Sequence, residues 1–303
     1  MSISKLTKYY LLKGYLKPSV FLLGDGRSGT TWFSELLNHD HHYWEMFEPF
    51  HGREPIPTEN DRMYPLLSDL RTQENEPVSW SGYYKKIDCF HLLAPGRSLF
   101  SRDVLIKDIS SFLVLDEIPL QEARKLLIVR NPFSVALSKS RVGIWNVEQD
   151  LDNLFSAVFG EASSSMKQAI EPLLSNKLLE YIAVWGLLHR LIIPKIESEN
   201  YKVVFYELLF QSTETVLSEV LAFLGREEYG KQYAEKIFEK SKKPSRTANK
   251  GRIAGLNSDW LGELEEDVIA KAFQILGLLG VDFIYKDSPL PVVGQEELIS
   301  HRF

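Results

Sequence analysis

The sequence has 303 residues, of which 44% are hydrophobic and 25% charged, and its formal net charge is −6. This composition is that of a globular protein, and it excludes disordered, collagen-like and disulfide-framework classes. The acidic balance argues against a protein that coats nucleic acid or anionic lipid, although it leaves room for a small local anion site.

Short apolar strands alternate with helical patterns along the chain. Strands are predicted at residues 19–24, 104–107, 125–130 and 201–206, and helices at 30–38, 132–142, 152–159, 166–196, 213–224 and 261–279. The alternation predicts an α/β fold of the P-loop type, with three layers and a central, mostly parallel sheet flanked by helices. Residues 1–303 are expected to form a single domain with its core at about 19–285. Ligands of such sheets bind beyond the carboxyl ends of the strands.

A glycine-rich loop follows the first predicted strand and leads into a helix. It reads GDGRSGTTW over residues 24–32, and its two outer glycines have the spacing of a P-loop. Backbone N–H groups in such a loop and at the following helix N-terminus form an anion site. A Walker motif has Lys after the second glycine, whereas this loop has Thr30 and carries its cation at Arg27. The candidate anion-binding residues are Arg27, Ser28, Gly29, Thr30, Thr31 and Trp32.

A second candidate anion site follows the third predicted strand, in the segment VRNPFSVALS. Arg130 ends that strand, Asn131 is a candidate N-cap, and Pro132 suits the first position of a helix. Ser138 lies two turns into the helix, where it is expected to reach a phosphate held by Arg130.

Together these two motifs resemble the PAPS-dependent sulfotransferases, whose donor is 3′-phosphoadenosine 5′-phosphosulfate. The resemblance implies that the loop at 27–32 binds the 5′-phosphosulfate and that Arg130 and Ser138 bind the 3′-phosphate. It implies PAPS as donor, PAP as product and no required metal. Arg27, where other members have Lys, resembles the carbohydrate and bacterial branch of the family.

The segment FEPFH at residues 47–51 provides a candidate general base. It resembles the Glu-Pro motif of carbohydrate sulfotransferases, which implies that Glu48 takes the acceptor's proton. His51 is the alternative base, and Pro49 is expected to keep Glu48 extended. Lys107, at the end of the second predicted strand, is expected to steady the acceptor or the sulfuryl oxygens. A salt-bridging role for Glu48, and a surface or salt-bridging role for Lys107, stay open.

Residues 240–252 hold six basic side chains and no acid. In the family that this sequence resembles, a late basic loop closes over the 3′-phosphate and the adenine. The residues implied here are Arg246, Lys250, Gly251 and Arg252. The segments at 52–100 and 151–196 are expected to wall the acceptor pocket.

The leading prediction is a sulfotransferase that acts on a hydroxyl of a carbohydrate or small molecule. A P-loop kinase that uses ATP and a non-catalytic nucleotide-binding protein are the alternatives. A cytoplasmic location is favoured because the single cysteine, Cys89, cannot form an internal disulfide. No apolar run approaches the roughly 20 residues of a membrane span. No metal site, nucleic-acid partner or membrane partner is expected, and both a monomer and a homodimer fit.

Overall fold

The computed structural model describes residues 17–48, 103–109, 111–113, 123–143, 148–197, 199–227, 260–301 and 303. Five strands form one sheet: β1 (Lys17–Gly24), β2 (Trp44–Phe47), β3 (Asp103–Asp108), β4 (Arg124–Val129) and β5 (Tyr201–Phe205). Their order is β2-β3-β1-β4-β5, and every pair of neighbours is parallel. The predicted α/β fold is therefore confirmed.

The register places the carboxyl ends of all five strands at one edge of the sheet. The paired residues nearest that edge are Leu23 with Asp108, Gly24 with Ile128, Phe47 with Lys107, and Val129 with Phe205. The chain leaves β1 towards β2 and β3 on one side, but leaves β4 towards β5 on the other. Ligands of open α/β sheets bind where the strand order reverses in this way. The crevice between β1 and β4 is therefore the candidate site.

Helices cover both faces of the sheet. They are α1 (Thr30–Leu37), α2 (Pro132–Val142), α3 (Glu148–Phe159), α4 (Ser163–Ile170), α5 (Lys177–Ile192), α6 (Leu208–Gln211), α7 (Thr213–Leu224), α8 (Trp260–Glu263), α9 (Glu266–Leu278) and α10 (Gln295–Ser300). One buried cluster joins one sheet face to α2, α3, α5 and α9, and a second joins the other face to α1, α6 and α7. The three layers follow from strands that are apolar on both sides.

Two predicted helices differ from the structure, and one strand was not predicted. The helix predicted at 166–196 is two helices, because Pro172 lies in a 3-10 turn and Asn176 caps a new helix by accepting a hydrogen bond from the Leu179 N–H. The helix predicted at 261–279 is interrupted between α8 and α9. The short edge strand β2 was not predicted, because four residues carry little periodic signal.

Helix α5 lies in the core and carries an uncharged buried histidine. His189 stacks on Trp185 with 3.9 Å between ring centroids, and its Nδ1 is 2.7 Å from the Trp185 carbonyl oxygen. Burial, with a smaller contribution from the Lys139 charge, lowers the pKa of His189 from 6.5 to about 4. Its folded state therefore favours the neutral imidazole.

This histidine should make stability depend on pH. Below pH 6.5 His189 becomes protonated in the unfolded chain, whereas in the folded chain it stays neutral down to about pH 4. The unfolding free energy therefore falls as pH falls from 6.5 to about 4. The loss should reach up to about 3 kcal/mol. Urea denaturation at several pH values between 4 and 7.5 gives the unfolding free energy as a function of pH. This free energy should fall less steeply with falling pH in His189→Phe than in the wild type. His301→Phe, at a partly exposed position, is the control for replacing a histidine by phenylalanine.

Candidate active site

The phosphate-binding loop joins β1 to α1 through backbone that only glycine adopts easily. Gly29 has φ +90° and is the N-cap residue of α1. A Cβ atom added there would lie 2.4 Å from Cε2 of Tyr206, the residue that follows β5. The loop therefore packs directly against the end of β5, two strands away from β1, which explains the glycine at this position.

Two features of this loop suit an anion. No side chain caps the first turn of α1, so its N–H groups are not taken by a cap. The Ser28 hydroxyl is fully buried and has no hydrogen-bond partner among the residues that the structure describes. A buried donor without a partner is costly unless a ligand satisfies it.

The second motif is built as predicted at its helix start. Asn131 caps α2, and its side-chain oxygen accepts hydrogen bonds from the N–H groups of Phe133 and Ser134 at 3.1 and 3.3 Å. Because this cap occupies those amides, the second motif offers its side chains to an anion. Arg130 is 8% exposed, and in the described part of the chain its Nε has no hydrogen-bond partner.

A buried acid holds the backbone of this second motif. The Asn131 N–H donates to Glu207 Oε1 at 2.9 Å, and the Tyr285 hydroxyl donates to Oε2 at 2.8 Å. Burial raises the pKa of Glu207 and raises that of Tyr285 well above its usual value. On the other side, the Trp185 indole N–H donates to the Arg130 carbonyl at 2.9 Å. Sequence reasoning missed these partners, which come from β5, α5 and the chain after α9.

Direct hydrogen bonds join the two motifs. Arg27 Nε donates to Ser138 Oγ at 3.0 Å, and Arg130 Nη1 donates to the Arg27 carbonyl oxygen at 2.9 Å. Burial and the neighbouring Arg130 charge lower the pKa of Arg27. The Ser138 hydroxyl thus lies at the phosphate loop as well as on the helix that follows Arg130.

A second, fully buried contact joins the same elements. Lys139 Nζ lies 2.7 Å from both carboxylate oxygens of Asp25, and neither residue is exposed to solvent. Burial raises the pKa of Asp25, while the Lys139 charge lowers it. Sequence reasoning missed this pair. An acid inside an anion-binding loop is a signal that could have indicated it, but that signal does not identify the lysine that neutralises the acid.

Glu48 and Lys107 lie together at the ends of β2 and β3. Their side chains form a buried ion pair, and the Glu48 N–H donates to the Lys107 carbonyl at 2.6 Å. Lys107 is only 1% exposed, so it is not a surface lysine, and Nζ lies 4.3 Å from the centroid of the Phe47 ring. The expectation of an extended Glu48 was wrong. Its φ is +47°, because the backbone turns at the end of β2 to make this N–H bond.

Aromatic rings border the loop on the β5 side. Trp32 stacks on Phe210 at a centroid distance of 5.2 Å and meets the Tyr206 ring edge-on at 6.0 Å. The Arg130 guanidinium carbon lies 4.4 Å from the Tyr206 ring centroid. Tyr206 therefore contacts Trp32, Gly29 and Arg130, although the sequence indicated only that it ends a strand.

The structure thus brings together the predicted residues of both anion motifs, and places Glu48 and Lys107 at the same edge of the sheet. The remaining predicted residues, His51, Arg246, Lys250, Gly251 and Arg252, lie outside the described residues, as does the segment at 52–100. The described ranges hold no group of three or more potential metal ligands. Within those ranges, no helix is long and apolar enough to cross a membrane.

Comparison with known proteins gives a family match over most of the chain. The family described as "Sulfotransferase domain" matches residues 17–276. No curated protein matches the chain significantly.

Several solved structures are similar to this chain at low sequence identity. A retinol dehydratase in complex with androsterone and PAP is 16% identical, with a TM-score of 0.47, over 94% of this chain and 86% of that one. A sulfotransferase from Alicyclobacillus acidocaldarius is 16% identical, with a TM-score of 0.42, over 88% and 94%. The sulfotransferase domain of a Synechococcus olefin synthase is 16% identical, with a TM-score of 0.42, over 86% and 87%.

The packing of Gly29 against Tyr206 can be tested with a matched pair of substitutions. Gly143, at the end of α2, also has positive φ, at +68°, but a Cβ atom there would meet nothing within 4 Å. Gly143→Ala should cost about 1 kcal/mol of unfolding free energy from backbone strain alone. Gly29→Ala should cost more, because the Tyr206 ring must also move. Equal losses in urea denaturation would show that Tyr206 does not restrict this position.

Proposed function

The chain belongs to the sulfotransferase domain family, and from this premise we propose that it transfers the sulfuryl group of PAPS to a hydroxyl of a carbohydrate or small-molecule acceptor. The carbohydrate and bacterial branch is part of the proposal, and it rests on Arg27 and on the Glu48-Pro49 sequence. PAP is the expected product.

The observation that supports the proposal is that the described part of the crevice holds hydrogen-bond donors without acceptors and guanidinium groups without a paired carboxylate. Within the described ranges, Ser28 Oγ and Arg130 Nε are buried without hydrogen-bond partners. Among the described residues, no carboxylate lies within salt-bridge distance of Arg27 or Arg130. A ligand with two anionic groups would satisfy both guanidinium groups and both donors. PAPS has that charge distribution, with a 5′-phosphosulfate and a 3′-phosphate.

The chemistry needs the leaving phosphate stabilised and the donor aligned. The acceptor oxygen attacks sulfur, the bond from sulfur to the phosphate oxygen breaks, and PAP leaves with that electron pair. Arg27 and the N–H groups at the start of α1 are already arranged to stabilise the growing charge, so they need little reorganisation during the reaction. Alignment of acceptor and donor in the crevice supplies the remaining acceleration.

Glu48 is the proposed base, and Lys107 supports it. A base must be unprotonated before it accepts a proton, and the adjacent Lys107 ammonium favours the ionised carboxylate. We expect the same ammonium, at the end of the strand beside β1, to contact the sulfuryl oxygens. When Glu48 takes the acceptor's proton, its attraction for Lys107 weakens, and the ammonium can interact more strongly with the transferred group.

Ligand preference tests the donor. PAP and PAPS should raise the melting temperature, since a ligand that binds only the folded state stabilises it by mass action. Mg-ATP should have little effect, because Thr30 stands where a Walker lysine would be. Stabilisation by Mg-ATP alone would instead support the kinase alternative.

Substitution of Arg130 tests the 3′-phosphate site. Arg130→Gln should weaken PAP binding about tenfold or more in calorimetry, since it removes a charge-assisted contact. Arg124→Gln is the matched control. Arg124 lies at the other end of the same strand, where it donates to the Phe223 carbonyl, so PAP affinity should stay at the wild-type value. Equal affinities of both variants would remove Arg130 from the site.

Turnover tests the base. Glu48→Gln should lower kcat about 10²–10⁴-fold with PAP affinity little changed, because it removes general-base catalysis. Glu45→Gln is the control on the same strand, where the carboxylate accepts a hydrogen bond from Ser34 Oγ at 2.9 Å. The measurement is steady-state transfer from labelled PAPS to a panel of sugars and small alcohols. Turnover of Glu48→Gln near that of the wild type would assign the base elsewhere.

A further inference from the structure

We propose that the buried ion pair of Asp25 and Lys139 is a positioning device that fixes the distance between the two anion sites. Neither residue contacts the donor in this proposal. The inference rests on the proposed function, because it concerns how one ligand with two phosphates is held at both sites.

The pair connects the start of the phosphate loop to helix α2 of the second motif. Asp25 follows β1 directly and opens the phosphate loop, and Lys139 follows Ser138 on α2. One ammonium contacts both carboxylate oxygens at 2.7 Å, and both side chains are fully buried. An ammonium held by both oxygens has little freedom to slide, so α2 cannot shift along the loop without breaking the contact.

Asp25 also shapes the loop itself. Its carboxylate accepts a hydrogen bond from the Gly26 N–H, and its carbonyl oxygen accepts one from the Ser28 N–H at 3.0 Å. A carboxylate in this position would repel a bound phosphate. Lys139 cancels that charge, so the loop keeps the hydrogen bonds of Asp25 without its repulsion.

Stability alone does not account for such a pair. A fully buried ion pair costs desolvation free energy, and replacing both partners by neutral groups is often neutral or stabilising. The pair instead fixes the position of α2 relative to the loop, because an ion pair favours one geometry, whereas packed apolar groups can slide past each other. Fixed geometry matters most for a ligand that must engage two sites at once.

A rigid ligand with two anchors benefits from matched spacing. Once one phosphate is bound, the second binds with an effective concentration that depends on how well the sites match the ligand. Loss of the correct spacing therefore weakens a two-phosphate ligand, while each phosphate alone still binds its own site. This difference separates a positioning role from a general loss of stability.

The test compares PAP with its two single-phosphate parts, 5′-AMP and 3′-AMP. The double variant Asp25→Asn/Lys139→Met removes both charges and keeps an oxygen to accept from the Gly26 N–H. Calorimetry should show PAP affinity about tenfold lower, and both monophosphate affinities within about twofold of the wild type. Lys139→Arg keeps the charge but places a longer, planar head group in the buried site. It should show the same selective loss of PAP affinity.

Arg226→Met is the control for destabilisation. Arg226 pairs with Asp40 and donates to the Leu37 carbonyl, at the amino edge of the sheet. It should lower the unfolding free energy in urea without changing the ratio of PAP affinity to monophosphate affinity.

Each outcome decides the inference. A wild-type ratio in a folded pair variant overturns it, and an equal loss of all three ligands assigns the pair to general stability. Failure of both pair variants to fold does the same. Wild-type protein that binds PAP no more tightly than the monophosphates would instead refute the proposed function, before the pair is tested.

Discussion

Two guanidinium groups, those of Arg27 and Arg130, lie close together in a largely buried crevice. The surrounding contacts must hold them there against their electrostatic repulsion. The effect is visible in the pKa of Arg27, which burial and the Arg130 charge both lower. Each group has a neutral acceptor or ring as its contact: Ser138 Oγ for Arg27, and the Arg27 carbonyl and the Tyr206 ring for Arg130. Such contacts hold the groups in place without a direct ion pair in the described part of the chain, although the buried Glu207 interacts electrostatically with Arg130, so an anion that enters gains attraction from both.

The two buried lysines of the site, in contrast to the arginines, are each paired with a carboxylate. Lys139 is paired with Asp25, and Lys107 with Glu48. Since each lysine is neutralised by a carboxylate, the excess positive charge is confined to the arginine pair. A net charge of −6 is therefore compatible with an anion site, because the positive charge of Arg27 and Arg130 is concentrated in one crevice.

The extent to which the sequence predicts this arrangement depends on how local each feature is. Strand ends, the loop and the Asn131 cap follow from short runs of residues, and the structure has them within one residue of their predicted positions. The pairing of Asp25 with Lys139 joins residues 114 positions apart, and sequence spacing carries no information on such a contact. Tyr206 was overlooked because its importance comes from the glycine that it packs against, on another element.

The backbone of Glu48 shows the same limit in a local motif. A following proline disfavours the right-handed helical region, and an extended backbone is its usual consequence. Here the left-handed region prevails, because the Glu48 N–H reaches the Lys107 carbonyl and the side chains pair as well. Two long-range contacts thus outweigh one local preference.

Arg27 and Glu48 share a feature that links strain to chemistry. Both are non-glycine residues with positive φ, at +74° and +47°. Such backbone costs free energy and persists only where the surroundings hold it in place. Arg130 and Ser138 hold Arg27, and Lys107 holds Glu48, so each strained residue is fixed by partners from a different strand end. The side chains proposed to meet the leaving phosphate and the acceptor proton are thus oriented before any ligand binds, which lowers the reorganisation that the transition state requires.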